Sequence, residues 1–415
     1  MRDAPARLLS TEEDPQLSSA YLSALSPEAR LVLLTAGGAD CDDEIRELLR
    51  QTLDWNKVVW LAEREGAVPI LWKRASQLAG ASLPADVSTH LQRLALVSEF
   101  QLLRLEQRLG EAIDLLSAAG IDVILLKGAA LACTVYGSFS QRPMGDVDLL
   151  VPPARANAAM AALTARGWMW KGDEALQHFY EGHHHLPPLE DQTGSGARLE
   201  LHTAFFFEGH PFRLSLADVR ENAVEVPFGS RTVRVPDTRH QLLHLCLHFV
   251  WSHMVAMGAW RAFRDLRTLM EVRGIEWDEF ARFALESRGG SCCYWTFRLA
   301  RDLIGLKIPT FVLDALRPPQ PEYVLRRVEQ HFTYQLLPTE GICPSLRVAQ
   351  TMWRTGICPA WSGHGAVRPW DRSDGFPVRE RPAATGARKL ADHLGNARGW
   401  AHYIRAIVHP AALSG

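Results

Sequence analysis

Over the first part of the chain, apolar residues recur at three- and four-residue intervals. That period lays them along one face of a helix. In LSPEARLVLLTAG, Ser26 stands at the N-cap and Pro27 at the first helical position. LDWNKVVWLAEREG keeps the helical spacing and stops at Gly66. VSTHLQRLALVSEFQLLRLEQRLGEAIDLLSAAG is a long amphipathic stretch that ends at Gly120.

The pattern changes at Ile121. IDVILLK is a short apolar run closed by Lys127-Gly128, as expected of a buried strand. AALACTVYG reads as a short helix. DVDLLVP is a second strand ended by Pro152-Pro153, and ARANAAMAALTARGW is an alanine-rich helix. A third strand is expected from about Ala197 to Phe206 (ARLELHTAFFF) and a fourth in RTVRVPD. Helical periods return after Asp237, where Thr238-x-x-Gln241 resembles a capping box before LLHLCLHFVW.

Strands interspersed with helices predict an α/β or α+β core. The expected divisions are an N-terminal helical region (1–118), a mixed core (119–236), a C-terminal helical region (237–358) and a final stretch (359–415). The last holds a Gly/Pro-rich loop and a terminal helix from Trp400 to Val408.

Composition narrows the function. The 415 residues are 47% hydrophobic, enough for a sizeable core. A formal net charge of -2 does not favour nucleic acid as a partner, although a local basic groove would still admit one. The first thirty residues carry acids and no apolar leader core, and no run reaches the length of a membrane span. The seven cysteines form no C-x-x-C pair. These features point to a cytoplasmic protein with buried free thiols and no membrane partner. Oligomeric state is not encoded in any pattern of this kind.

The chemistry-bearing feature is Asp146-Val147-Asp148. Alternate residues of a strand share a face, so the two carboxylates would project together with Cα atoms roughly 6–7 Å apart. Bare carboxylates that close repel, and a divalent cation removes the conflict. Mg²⁺ takes few carboxylates and keeps phosphate oxygens and waters as its other ligands. Two such ions can clamp the attacking and leaving oxygens of a phosphoryl displacement. Glu200, mid-strand in RLELH, is the natural third carboxylate. The plainer reading is that these acids mark solvent faces of edge strands.

Lys127-Gly128-Ala129-Ala130-Leu131, Tyr136, Arg142 and Asp146-Val147-Asp148-Leu149-Leu150-Val151 together resemble the pattern K-G-x-x-L … Y … R … D-[IV]-D-L-L-V. That pattern belongs to the uncharacterised bacterial nucleotidyltransferase family of the DNA polymerase β-like superfamily. The abortive-infection nucleotidyltransferases of toxin–antitoxin systems share a related version. LDWNKVVWLAEREGAVPILWKRA, LELHTAF and HQLLHLCLHFVW … FRDLRTLM are similar to other segments of the family, so the resemblance covers roughly residues 50–300.

The resemblance implies a polymerase β-like core, a small mixed sheet with packed helices, flanked by helical regions. It implies transfer of an NMP, AMP first among them, from an NTP, with ATP the leading co-substrate. The acceptor would be a hydroxyl or phosphate on a small molecule, peptide or sugar phosphate, and pyrophosphate would leave. It further implies Mg²⁺ or Mn²⁺, as two ions, on Asp146, Asp148 and Glu200. Glu200 departs from the aspartate often found there, which leaves it as either metal ligand or base. Gly128 would hold the triphosphate at a helix start, Lys127 would add charge, and Arg142 would serve as a phosphate fork. Rival readings are a tRNA- or protein-modifying enzyme of the toxin–antitoxin type and an inactive nucleotide-binding module. Gly137-Ser138 imitates the glycine-serine turn of minimal nucleotidyltransferases. It closes a helix rather than a strand, and reads as a C-cap.

Histidines complete the inventory. His202 shares the strand parity of Glu200, so it would orient that glutamate or touch phosphates. His183, His184 and His185 stand in a row, with His178 upstream; three adjacent imidazoles on a regular element cannot all face one ion, so a polar surface loop beside the cleft is expected, the alternatives being an acceptor or phosphate contact for one of them and a zinc site. His240, His244 and His248 recur every four residues, which lines them along one helix face. Arg261 and Asp265 have the spacing of a surface i,i+4 pair; the alternative is a buried pair that fixes the C-terminal helices.

Overall fold

The computed structural model describes residues 25–79, 83–172, 180–206, 210–337 and 346–357. The expected 359–399 loop, the Trp400–Val408 helix and His178 lie outside the described residues.

The N-terminal helices are α1 (Pro27–Leu34), α2 (Asp42–Leu49), α3 (Trp55–Glu65), α4 (Val68–Leu78) and α5 (Ala85–Ala118). Ser26 caps α1 by accepting from the Ala29 amide at 3.3 Å, and Gly66 ends α3 in the left-handed region at φ 72°. Among the described residues, seven strands then form one mixed sheet in the order β3-β4-β5-β2-β1-β7-β6. They are β1 (Ile124–Leu125), β2 (Val147–Leu150), β3 (Trp168–Met169), β4 (Leu189–Asp191), β5 (Arg198–His202), β6 (Val224–Phe228) and β7 (Arg231–Val235). Central β2 runs parallel to β5 and antiparallel to β1. Between the strands lie α6 (Lys127–Leu131), α7 (Ala156–Thr164) and α8 (Leu216–Glu221). Beyond the sheet come α9 (Thr238–Leu247), α10 (Ala259–Arg273), α11 (Trp277–Glu286), α12 (Gly290–Ile304), α13 (Thr310–Leu316), α14 (Glu322–Leu336) and α15 (Leu346–Ile357).

Strand alternation assigns the two faces of the sheet to different cores. Leu125, Val147, Leu149, Leu199 and Leu201 join the C-terminal half of α5 and the alanine-rich α7 in one apolar cluster. Ile124, Leu126 and Leu150 face the opposite way, into a larger cluster shared by α1–α4 and α9–α15. The N- and C-terminal helices therefore pack as one body. α5 serves both clusters: Leu91 and Ala95 lie in the larger, and Leu102 to Leu116 in the other.

Several local expectations change. β3 and β4 are too short to leave a clear alternation in the sequence; β6, VEVPF, does alternate and buries Val226 and Phe228, but Pro227 interrupts the run. The third expected strand stops at His202, because Phe205 and Phe206 turn away and bury against the helical core. Asp237, one residue before the expected cap, takes the N-cap of α9 by accepting from the His240 amide at 2.9 Å. Gln241 is thereby free to donate to the Pro236 carbonyl at 2.7 Å. Gly137 does close its helix in the left-handed region, at φ 69°. Among the described residues the cysteines are free, and Cys41, Cys246, Cys292 and Cys293 are buried. No described helix is long and apolar enough to cross a membrane.

Two buried carboxylates hold the helical body together and tie it to the segment between β1 and β2. Asp265 of α10 accepts from Arg142 Nη2 at 2.7 Å, Arg142 Nε at 2.9 Å and the Tyr136 hydroxyl at 2.8 Å. The expected surface pair with Arg261 is thus replaced by a buried cross-element pair, since Asp265 lies on the inward face of its helix. Glu65 of α3 is fully buried and accepts from the amides of Gly258, at 3.4 Å, and Trp260, at 3.2 Å, at the start of α10. Burial holds its carboxyl above the ordinary glutamate range, against the pull of Arg261 and Arg64. Removing one member of a buried ion pair leaves the other charge unpaired. Asp265→Ala is expected to destabilise the fold by about 3–5 kcal/mol, read as a drop in denaturant midpoint; a loss below about 1 kcal/mol would mean that Arg142 and Tyr136 find water instead.

Candidate active site

The site grows from the register of two parallel strands. Asp148 of β2 stands directly beside Glu200 of β5. Parallel neighbours in register point to the same face, and two residues further on His202 shares that face. One ligating atom from each of Asp148, Glu200 and His202 lies within 4.8 Å of the others. Asp146 sits just before β2 rather than within it. It is outside this tightest group, yet close enough for the charges of Asp148 and Glu200 to raise its carboxyl further after burial has done so. It has no hydrogen bond or ion pair among the described residues.

Lys127 and His202 hold the central carboxylate. Lys127 Nζ and His202 Nε2 both donate to Asp148 Oδ1 at 2.8 Å. His202 Nε2 also lies 3.5 Å from Glu200. Burial works against ionised Asp148, but the Lys127 ammonium and the His202 contact outweigh it and keep the carboxyl well below the usual range. Burial pushes Lys127 down in turn, and Asp148, Glu200 and Asp146 together hold it above the ordinary lysine value. Glu200, opposed by burial and assisted by His202 and His185, is also lowered. For His202, burial and Lys127 favour the neutral ring, but the two carboxylates prevail and raise it.

Lys127 reaches Asp148 from an unusual backbone. Its φ is 47°, left-handed for a residue with a Cβ, at a cost on the order of 1–3 kcal/mol. The glycine beside it serves a different purpose. A Cβ at Gly128 would come within 3.0 Å of Arg142 Nη1, so its lack of a side chain lets the guanidinium pack against the turn. That guanidinium is engaged by Asp265 and by the Pro143 carbonyl, at 2.7 Å through Nη1. The fork expected for phosphate thus grips a protein carboxylate and braces the Lys127-Gly128 turn from behind.

Histidines surround the cluster. His244 of α9, together with His248 and His253 in and after the π-helical turn His248–Ser252, feels the charge of Lys127. The four-residue spacing did predict a shared face, but His240 leaves it, bonding Asp237 at 2.7 Å and Asp218 at 3.0 Å. His183, His184 and His185 are half-buried, and the rings of His184 and His185 lie 5.4 and 5.3 Å from that of His202. The loop expected beside the cleft is therefore half-buried and forms one wall of the site. Its signal was the histidine run itself, and its place depends on the His185–His202 bridge, which no local pattern encodes.

Three acids facing one ammonium and one imidazole leave an excess of negative charge. Asp148 Oδ2 carries no hydrogen bond among the described residues, and neither does Asp146. That donor set suits a hard divalent cation that binds oxygen.

The buried histidines set the response to acid. Burial holds His244 at about 3 and His253 at about 4, both neutral in the fold. An unfolded histidine titrates near ~6.5. Below that pH the unfolded chain binds protons that the folded chain refuses, so stability is complete above it and falls as pH drops toward 4. His202 contributes with the opposite sign, one ring against His244, His248 and His253. Urea midpoints should therefore decline between pH about 6.5 and 4; a flat profile would place these rings in water.

The sequence model of a family described as "Uncharacterised nucleotidyltransferase" matches residues 51–305, more than half of the chain and the whole of the site above. No curated protein and no solved structure matches the chain.

Proposed function

The chain belongs to the uncharacterised nucleotidyltransferase family and is a nucleotidyltransferase, and from that premise we propose how its residues divide the reaction. An acceptor oxygen, on a hydroxyl or phosphate of a small molecule, peptide or sugar phosphate, attacks the α-phosphorus of an NTP, with ATP preferred. The new P–O bond forms as the bond to the β-phosphate oxygen breaks, pyrophosphate leaves, and a hydroxyl acceptor gives up its proton to water. The sheet of β1, β2 and β5 would serve as a polymerase β-like core.

The observation that carries this reading is the in-register pair Asp148–Glu200, with Asp146 beside it and without a hydrogen bond or ion pair among the described residues. Asp146, Asp148 and Glu200 would hold Mg²⁺ or Mn²⁺, which supplies charge neutralisation at the transferring phosphate. Glu200 is lowered, hence a weak proton acceptor, which favours ligand over base. Lys127 stands ready to pair with phosphate oxygens beside the amides that open α6, where the first N–H groups of a helix lack internal partners. His202 fixes Asp148 through Nε2 and so orients one carboxylate oxygen toward the site. Arg142 acts at one remove, by holding the turn that carries Lys127. The chain's work is positioning and electrostatics, as phosphoryl transfer requires.

The test is incubation of each α-labelled NTP with Mg²⁺ and a panel of acceptors. ATP should release pyrophosphate and label the acceptor, and a chelator should stop it. Asp148→Asn should slow release by at least about a hundredfold; release that persists in Asp146→Ala overturns the mechanism. A second outcome separates charge from folding. Asp146→Asn should lose activity yet raise the melting temperature in chelator at pH 8, because it removes a carboxylate that burial disfavours and its acidic neighbours repel. Below pH about 4, where Asp146 is protonated in either state, that gain should vanish.

A further inference from the structure

We propose that His183, His184 and His185 form a second cation site, separate from the carboxylate cluster, for a divalent ion of the zinc class. The proposal does not depend on the nucleotidyl-transfer mechanism.

Convergence is the first ground. One ring nitrogen from each histidine lies within 4.8 Å of the other two. Ring centroids are 4.2 Å apart for His183–His184 and His183–His185, and 4.8 Å for His184–His185. A tetrahedral ion about 2.0–2.1 Å from each nitrogen would set them about 3.4 Å apart, a change within reach of small ring rotations. Consecutive side chains of a strand would diverge, but this segment is not regular. Gly182 is left-handed at φ 73°, and the His183 amide folds back to the Tyr180 carbonyl at 3.1 Å.

Anchoring is the second ground. The His184 carbonyl accepts from the amides of Thr203 and Ala204 at 2.8 and 3.1 Å, and the Leu186 amide donates to Leu201 at 2.9 Å. The backbone of the histidine run is thus tied to β5 and the residues after it, which pre-organises the ligands. His185 Nδ1 lies 2.8 Å from the Leu186 carbonyl. A carbonyl can only accept, so Nδ1 carries the proton and Nε2 keeps its lone pair, the arrangement that orients metal-binding histidines.

The donor set decides the class of ion. Imidazole nitrogens suit Zn²⁺, Co²⁺ or Ni²⁺, whereas Mg²⁺ prefers oxygen and keeps its waters. Three protein ligands leave one position for an oxygen, from water or an acceptor group.

The experiment uses the full chain without an affinity tag, stripped with chelator and dialysed into buffer holding excess Mg²⁺. Co²⁺ is titrated and followed by its visible absorption, and Zn²⁺ by calorimetry. One equivalent should bind, with a tetrahedral Co²⁺ spectrum, and survive the Mg²⁺ competition. His183→Ala and His185→Ala should each weaken binding about tenfold or more, with circular dichroism unchanged. His183→Asn and His185→Gln serve where the alanine variants unfold. Asp148→Asn should leave the spectrum in place. Binding that Mg²⁺ displaces, that the histidine variants retain, or that Asp148→Asn removes would overturn the proposal, as would no binding at all.

Discussion

Mutual repulsion among three carboxylates is the constraint on which the rest of this structure depends. Asp148 and Glu200 are brought side by side by strand register, and Asp146 joins them from the turn before β2. At such separations and in a partly buried setting, ionised carboxylates raise one another's pKa unless cations stand close. Lys127 and His202 supply that compensation at one oxygen of Asp148, and in doing so leave the other oxygen and Asp146 open. The arrangement is stable enough to fold and still retains an excess of negative charge. Lys127 accepts a left-handed backbone to reach its place, which marks the turn as a position set by the site rather than by local preference.

The remote helices matter because they hold that turn. Asp265 on α10 grips Arg142, and Arg142 packs against Gly128 in the space that a Cβ would occupy. Glu65 on α3 then fixes the start of α10 through two backbone amides. A chain of buried charge thus runs from the N-terminal helices through the C-terminal ones to the Lys127-Gly128 turn. Because α1–α4 and α9–α15 share one apolar core, the sheet is the floor of the site and this helical body is its opposite wall.

Histidines line the site where lysine or arginine would add charge. Burial keeps His244, His248 and His253 neutral beside Lys127. Neutral rings fill space near the ammonium and the acids without cancelling the negative charge that a cation needs. His202 is the exception, since it bonds Asp148 directly.

Local pattern alone determined much of this molecule. The helical periods, Ser26 and Gly66 as caps, β2 as an apolar strand carrying Asp148, Gly137 as a helix end, and the placing of Glu200 and His202 on one strand face are all legible along the chain, because each depends on neighbours within a few residues. The resemblance carried by Lys127-Gly128 through Val151 led to the family as well. Tertiary structure decided the rest. It gave Arg142 to Asp265 instead of leaving it for phosphate, drew Asp265 inward from a spacing that reads as a surface pair, and bent the histidine run against His202. The first two outcomes depend on surfaces that meet across 123 residues, from Arg142 to Asp265, and the third on a bridge from His185 to His202. A charged side chain follows the nearest buried opposite charge, and sequence spacing carries no record of that distance.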